Sequence, residues 1–332
     1  MTDFSRRQLL AGTAAVAALA AMPARGQESM TAADGLPDLV GKSILITGCS
    51  SGFGRAGALH YARLGAKVIA SMRNLPRPEA DSLAAEAAAE HLDLHIVEID
   101  VLDDEQVAAG VAEAARIAGG GLDVLVNNAG IGITGPIEVQ DMEATQLMFD
   151  TNVFGYLRMA RAVLPGMRAA GSGQIFAISS QLGRLVVPSA GQYSPTKFAL
   201  EAMFEQLAYE LVPHNIEVTI IQPGGYPTEI WVNRNRYTRE LRDRIPAVHA
   251  DGYPALIARM GTEDGSGRDT DVLDVPRAIA EIISMPQGER PLRRPVHPRP
   301  IPQAAINTVS HETQLAWLGP SGYGPWIRSV LT

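Results

Sequence analysis

A tyrosine and a lysine stand four residues apart in the stretch Tyr193-Ser194-Pro195-Thr196-Lys197, where a helix is expected to begin. Residues four apart in a helix lie on the same face, so the phenol and the ammonium would be neighbours. A free phenol has a pKa of about 10 and exchanges protons poorly at neutral pH, but an adjacent cation stabilises the phenolate and lowers that pKa. The pair is therefore a candidate for general acid–base catalysis, with Tyr193 as the group that moves the proton.

Ser180 comes thirteen residues before Tyr193, at the end of a predicted strand, where its hydroxyl could hold a substrate oxygen. Isolated Tyr-x-x-x-Lys pairs also arise by chance on many helices. The chain has only three lysines, which makes such a chance placement less frequent without excluding it. Because proline disfavours helical geometry at the residue before it, Pro195 makes the register of Tyr193 and Lys197 depend on where the helix begins.

A glycine-rich segment, Thr47-Gly48-Cys49-Ser50-Ser51-Gly52-Phe53-Gly54, directly follows the first predicted strand and precedes a predicted helix. Glycines allow backbone N–H groups to approach an anion closely, and the N-terminus of the following helix attracts phosphate. This placement predicts a dinucleotide-binding loop. Its expected contacts are Gly48, Ser50, Ser51, Gly52, Phe53 and Gly54. A glycine-rich turn without a ligand is the alternative.

The second predicted strand runs into Met72-Arg73-Asn74, and no acidic residue follows before Glu79. An acid about twenty residues beyond the glycine loop normally holds the ribose hydroxyl of NAD. An arginine at this strand end can instead pair with the 2′-phosphate of NADP. The segment therefore favours NADP(H) over NAD(H), unless Arg73 is an ordinary surface arginine.

Short β-branched runs alternate with helical stretches from Lys42 to Gln222. Apolar strands in strict alternation with helices predict an α/β fold, here a Rossmann-type doubly wound parallel sheet of about seven strands with helices on both faces. The predicted strands are Ser43–Thr47, Lys67–Ser71, Leu94–Ile99, Leu122–Asn127, Gln174–Ser179, Glu217–Gln222 and, suited by its prolines only to an edge, Arg290–Val296. The predicted helices are Arg55–Leu64, Ser82–Glu90, Val107–Ala118, Ala144–Ala169, Thr196–Leu211 and Val272–Ser284.

Beyond Pro223 the alternation stops. We expect a substrate lid at about 225–270 and a Pro-rich C-terminal extension at about 286–332, to which no structure is assigned beyond the possible edge strand. Five lid arginines could bind an acidic ligand, but apolar residues recur at helical spacing and favour a lid helix with a solvated basic face. These residues are Arg234, Arg236, Arg239, Arg242 and Arg244 on one face and Tyr237, Leu241 and Ile245 on the other. Trp231, Tyr253 and Met260 suit either a pocket wall or the lid core.

The N-terminal segment has the order of a secretory signal: Arg6-Arg7, an apolar run from Ala11 to Met22, and small residues before a cleavage site after Gly26. Paired arginines are typical of twin-arginine signals, and the run is too short for a permanent membrane anchor. We expect residues 1–26 to be a signal peptide, residues 27–332 to form a single domain, and the mature protein to be periplasmic or secreted. The alternative is an alanine-rich helix packed on the domain, and an unused signal would leave the protein cytoplasmic.

Composition excludes several other classes. The net charge of −8 supplies no basic field, so nucleic acid is not an expected partner. The single cysteine, Cys49, excludes an intramolecular disulfide and a cysteine metal site. The seven histidines show no ligand spacing, so no metal is expected.

Together these motifs resemble the short-chain dehydrogenase/reductase family, of the Tyr-x-x-x-Lys type with a TGxxxGxG cofactor loop. The resemblance covers about Lys42 to Thr228 and implies hydride transfer between NADP(H) and a small-molecule alcohol or ketone. It rests on the order and spacing of Thr47–Gly54, Asn127-Asn128-Ala129-Gly130, Asn152, Ser180, Tyr193 with Lys197, and Pro223-Gly224.

The resemblance also implies a role for each matching residue. Tyr193 would be the general acid/base and Ser180 would orient the substrate oxygen. Lys197 would lower the pKa of Tyr193 and bind the nicotinamide ribose, and Asn152 would hold a water in the proton relay behind it. The remaining cofactor contacts would be Asp100 and Val101 at the adenine, Asn128 and Gly130 in the cleft, and Pro223, Gly224, Tyr226 and Thr228 towards the nicotinamide.

Two other functions stay open. One is a sugar-nucleotide epimerase or dehydratase, which typically has a GxxGxxG loop instead of the GxxxGxG found here. The other is a non-catalytic dinucleotide sensor, which would be expected to lose part of the Ser/Tyr/Lys set.

The family resemblance further implies a homodimer or homotetramer built on the helices Ala144–Ala169 and Thr196–Leu211. Apolar residues on these helices would need cover from a second copy if they were exposed, or they face the sheet of their own chain. The residues concerned are Met148, Phe149, Met203, Phe204 and Leu207.

Overall fold

Seven short segments, most of them apolar, pair in parallel to form one sheet. They are β1 Ser43–Ile46, β2 Lys67–Met72, β3 Leu94–Glu98, β4 Val124–Asn127, β5 Gly173–Ile178, β6 Ile216–Pro223 and β7 Arg293–Val296. Their order across the sheet is β3-β2-β1-β4-β5-β6-β7, so the strand order reverses between β1 and β4. This computed structural model describes residues 37–263, 265–266 and 268–332; the predicted signal, residues 1–26, lies outside the described residues.

Helices cover both faces of the sheet, which confirms the predicted doubly wound α/β fold. Before the lid they are α1 Gly52–Arg63, α2 Pro78–Ala89, α3 Asp104–Ala118, α4 Met142–Phe149, α5 Gly155–Ala170 and α6 Tyr193–Leu211. Within the lid are α7 Ile230–Arg242, α8 Ala247–Ala250 and α9 Pro254–Ile257, and after it come α10 Asp274–Ser284, α11 Gln303–Leu318 and α12 Gly324–Leu331. None of these described helices is long and apolar enough to cross a bilayer.

Successive side chains of the central strands enter two different cores, because strand residues alternate between the faces of a sheet. Leu45 packs on one face with Tyr156 and Phe204. Its neighbour Ile44 packs on the other face with Leu83. Strands buried on both faces explain why their sequence is continuously apolar.

The predicted helix Ala144–Ala169 is interrupted. The π-helical segment Asp150–Phe154 separates α4 from α5 and buries Asn152 completely. A π turn adds a residue to the helical turn and is common at functional sites. The hydrophobic pattern could not reveal it, because apolar residues continue on both sides.

The helix predicted from Thr196 begins three residues earlier, at Tyr193. Pro195 is tolerated because backbone N–H groups in the first turn of a helix have no intrahelical acceptor, so its missing N–H costs nothing there. The Thr196 N–H donates to the Gln192 carbonyl at 3.0 Å, which places Tyr193 and Lys197 in the same helix. The register that Pro195 left open is thereby resolved.

The C-terminal extension forms two helices, α11 and α12, for which no structure was predicted. Ile327 and Leu331 of α12 are buried in the core that contains Phe204. Phe204 and Met148 have no exposed surface, so these two candidates for a dimer interface are covered by their own chain. Of the two alternatives for these residues, the one in which they face their own chain holds for Phe204 and Met148.

Candidate active site

The glycine loop is held by the residues that follow β4. The Thr47 hydroxyl accepts hydrogen bonds from the backbone N–H groups of Asn128 and Ala129, at 2.9 and 3.0 Å. The Asn128 amide donates to the Thr47 carbonyl at 2.8 Å. A Cβ on Gly54 would lie 2.6 Å from that amide nitrogen, so only glycine fits there. Asn128 therefore both lines the cleft and supports the loop.

A cavity of about 1240 Å³ extends from this loop along the carboxyl ends of the strands. It crosses the point between β1 and β4 where ligands bind in open α/β sheets. Seventeen of the predicted site residues line it: Gly48, Ser50, Ser51, Gly52, Phe53, Arg73, Asp100, Val101, Asn128, Gly130, Ser180, Tyr193, Lys197, Pro223, Gly224, Tyr226 and Thr228. Gly54 and Asn152 lie behind its wall and support it.

Ser180, Tyr193 and Lys197 meet at one end of the cavity. The buried Lys197 ammonium donates to the Ile178 carbonyl at the end of β5, at 2.8 Å. It also lies 5.7 Å from the centre of the Tyr193 ring and 5.4 Å from that of Tyr156. The Ser180 hydroxyl accepts from the Leu182 N–H at 3.1 Å, so its own proton can be donated to the Tyr193 oxygen or to a substrate oxygen.

Asn152 is fixed behind these three residues by the π-helical segment. Its side-chain oxygen accepts from the Ile131 N–H, and its amide donates to the Ile131 carbonyl, both at 2.9 Å. A Cβ on Gly130 would lie 3.2 Å from this oxygen and 3.9 Å from the Lys197 nitrogen. Glycine at 130 therefore leaves room between Asn152 and Lys197.

Burial and charge act in opposite directions on the acid–base pair. Burial raises the pKa of the Tyr193 phenol, while a hydrogen bond with Ser180 and the positive charge of Arg234 lower it. Burial lowers the pKa of Lys197 to about 7, and the Glu201 carboxylate opposes that shift. Without a bound ligand, Lys197 is thus poised to gain or lose its proton near neutral pH.

Arg73 stands at the end of β2, as predicted for a 2′-phosphate contact. Its guanidinium donates to the Tyr237 hydroxyl at 3.1 Å and lies 3.9 Å from the Asp100 carboxylate. The side chain is partly exposed and lines the cavity. Tyr237, on the lid helix, was not predicted as a site residue, because only the folded lid brings it to β2.

The lid helix α7 has a mixed basic face rather than a wholly solvated one. Arg236 and Arg239, and Arg244 just beyond the helix, are exposed, as predicted. Arg236 nevertheless lines the cavity, and so does the Arg234 side chain, which is only 13% exposed. It pairs with Glu263 at 2.8 Å and stacks on Trp231 at 4.2 Å.

Two of the three residues proposed for an apolar wall occupy it. Trp231 and Met260 line the cavity, whereas the Tyr253 hydroxyl binds Glu138 at 2.8 Å outside the lining. Among the described residues, no group of three or more histidine, cysteine or acidic side chains could hold a metal ion.

Comparisons with known proteins agree with this geometry. A family model described as short chain dehydrogenase matches residues 42–238, from β1 into α7. Retinol dehydrogenase 8 of Homo sapiens is 41% identical over 286 residues, which cover 82% of this chain and 87% of that protein.

Two solved structures with bound nucleotide are similar to the chain. A short chain dehydrogenase/reductase from Burkholderia phymatum in complex with NAD is 26% identical, with a TM-score of 0.67, covering 86% of this chain and 97% of the other. A gluconate 5-dehydrogenase from Burkholderia cenocepacia J2315 in complex with NADP and tartrate is 27% identical, with a TM-score of 0.55, covering 69% and 92%. The similar structures thus include one with each nucleotide.

Proposed function

The chain belongs to the short-chain dehydrogenases, and from that premise we propose that it transfers a hydride between NADP(H) and an alcohol or carbonyl group of an apolar substrate. The observation that carries the proposal is the common cavity. Ser180, Tyr193 and Lys197 line the same space as the glycine loop, so a dinucleotide on that loop and a substrate oxygen at Tyr193 would share it.

The bound nicotinamide supplies the hydride acceptor or donor. In the oxidative direction, the Tyr193 phenolate takes the proton of the substrate hydroxyl while Ser180 donates a hydrogen bond to the same oxygen. Lys197 in its charged form stabilises the phenolate. In the reductive direction, Tyr193 returns the proton to the oxygen of the carbonyl.

An apolar substrate is favoured by the cavity walls beyond Tyr193. They include Leu182, Val187, Pro188, Trp231, Leu256 and Met260, alongside the charged lid residues Arg234, Arg236, Arg259 and Glu263. Apolar walls with few convergent polar groups are typical of small-molecule sites. The relative named retinol dehydrogenase 8 supports the same substrate class.

Cofactor reduction tests this function. Purified protein is incubated with NADP or NAD and a series of alcohols from ethanol to retinol, and the absorbance of the reduced nicotinamide is followed. We expect NADP to be reduced, and faster with the long apolar alcohols. A protein that binds the nucleotide but neither oxidises an alcohol nor reduces a carbonyl would be a sensor instead.

Arg73→Ala should weaken NADPH binding by about tenfold to a hundredfold, the usual range for a charge-assisted hydrogen bond, and change NADH binding little. Only NADPH carries the 2′-phosphate. Dissociation constants for both nucleotides by titration calorimetry check this. The matched control is Arg116→Ala, which removes an exposed arginine paired with Glu113 on α3. Equal losses for NADPH and NADH would show that Arg73 does not bind the 2′-phosphate.

We further propose that residues 1–26 direct export by the twin-arginine route, on the strength of Arg6-Arg7 and the short apolar run. An exported dehydrogenase meets no cytoplasmic pool of NADP(H), so the folded protein would need to carry its nucleotide across the membrane. We expect mature protein from the periplasm to begin after Gly26 and to retain NADP through desalting. Cell fractionation with N-terminal sequencing tests both the location and the cleavage site. Intact protein confined to the cytoplasm would contradict the proposal.

A further inference from the structure

One buried carboxylate near the active site has no part in the mechanism above. Glu201 lies one turn beyond Lys197 on α6, and residues four apart share a helix face. Glu201 is only 2% exposed. An ionised side chain is rarely buried to this extent unless it is paired, because its desolvation is costly.

Three elements hold this carboxylate in place. One oxygen accepts from the Gln222 amide of β6, and the other from the Arg293 guanidinium of β7, each at 2.8 Å. The Gln222 side chain is itself fixed by α11, where the Asn307 amide donates to its oxygen at 2.7 Å. The C-terminal extension thus completes the set of contacts around Glu201.

Glu201 acts on Lys197 through its charge, within a cluster of other charged groups. Arg293 is shared with a second carboxylate on α6, Glu205. Arg184, in the loop after β5, is half-buried and feels the charges of Arg293, Glu201 and Glu205. This described cluster therefore contains three cations, Lys197, Arg184 and Arg293, and two carboxylates. Loss of Glu201 would leave one carboxylate for the three cations.

The side of Lys197 that faces the cavity carries no second anion among the described groups packed on it. Tyr193 and Tyr156 present their ring faces, and Ile178 presents a carbonyl. Asn152, which is neutral, lies beyond Gly130. Of the residues that act on the pKa of Lys197, Glu201 is the one that raises it against burial.

We propose that Glu201 is a positioning residue for the active site: fixed by Gln222 and Arg293, its carboxylate favours the charged form of Lys197 inside a buried cluster. A neutral lysine would not stabilise the Tyr193 phenolate. The effect on Lys197 itself is independent of substrate, and only its consequence for turnover rests on the proposed function.

The low lysine content permits a direct test. With lysine labelled with carbon-13, the protein gives only three side-chain ε-carbon signals, and the signal missing in Lys197→Met identifies Lys197. We expect Glu201→Gln, which keeps the shape of the side chain, to lower the titration midpoint of Lys197 by about one pH unit or more. Glu205→Gln is the matched control, since it removes the other carboxylate on Arg293, and should leave the midpoint close to wild type.

Turnover gives a second readout. If Lys197 must be charged, the loss of kcat in Glu201→Gln should shrink as the pH is lowered and Lys197 regains its proton, whereas a purely structural defect would persist. An unchanged Lys197 midpoint in folded Glu201→Gln would overturn the proposal, whatever the activity.

Arg293→Gln decides the matter if Glu201→Gln does not fold. Removing the cation that shares the Glu201 carboxylate strengthens its action on Lys197, so the midpoint should rise instead of fall. A midpoint that stays the same or falls in Arg293→Gln would contradict the proposal.

Discussion

Tyr193→Phe is expected to lower kcat by about 10²–10⁴-fold, the usual contribution of a positioned acid–base group. The substitution removes only the hydroxyl that exchanges the proton. The ring still fills the wall of the cavity and still faces Lys197, so NADPH binding should stay nearly unchanged. Steady-state kinetics with a nucleotide titration separate these two effects.

The control for this variant is Tyr253→Phe, which removes a phenol of the lid that binds Glu138 outside the cavity lining. It should leave kcat close to the wild-type value. If Tyr193→Phe keeps kcat within tenfold of wild type, Tyr193 is not the acid–base group and another proton donor must be sought.

Deletion of residues 303–332 is expected to destabilise the protein severely. It removes Ile327 and Leu331, which are buried against the α6 side of the core, and the partly buried Leu315 and Leu318. Burial of such a side chain contributes about 1.5–3 kcal/mol, so the loss is about 5 kcal/mol or more. A typical domain is stable by only about 5–15 kcal/mol, and the truncated chain should melt far earlier or aggregate.

Thermal unfolding followed by circular dichroism measures this effect. The control within the extension is Trp317→Ala, because Trp317 is 73% exposed and its removal should change the melting temperature little. A truncated protein that melts with the full-length chain would show that α11 and α12 do not stabilise α6.

The parts of the site that depend on neighbours in sequence could be predicted. The glycine loop between β1 and α1, and the spacing of Tyr193 and Lys197, are local patterns with a local physical cause. The sheet could be predicted in the same way, because its buried central strands are continuously apolar.

What the sequence could not reveal depends on contacts across the fold. Arg234 looked like one of five surface arginines, and only the packing of α7 brings it to the cavity. Glu201 could not be distinguished from the exposed acids of a helix until β7 placed Arg293 against it. No helices were predicted in the C-terminal extension, because its Pro and Gly content is typical of irregular structure. Its helices pack on a distant part of the chain, which the sequence could not show.

The position of Trp231 makes it a fluorescence probe of the lid. Its indole lies in the wall of the cavity and stacks with two guanidinium groups, that of Arg234 at 4.2 Å and that of Arg268 at 3.7 Å from the ring centre. The other two tryptophans, Trp317 and Trp326, are on the C-terminal helices and more open to solvent. With both replaced by phenylalanine, the remaining tryptophan fluorescence would come from the lid alone. The protein would then contain its own unlabelled probe of whether the lid shifts when a nucleotide or an alcohol enters.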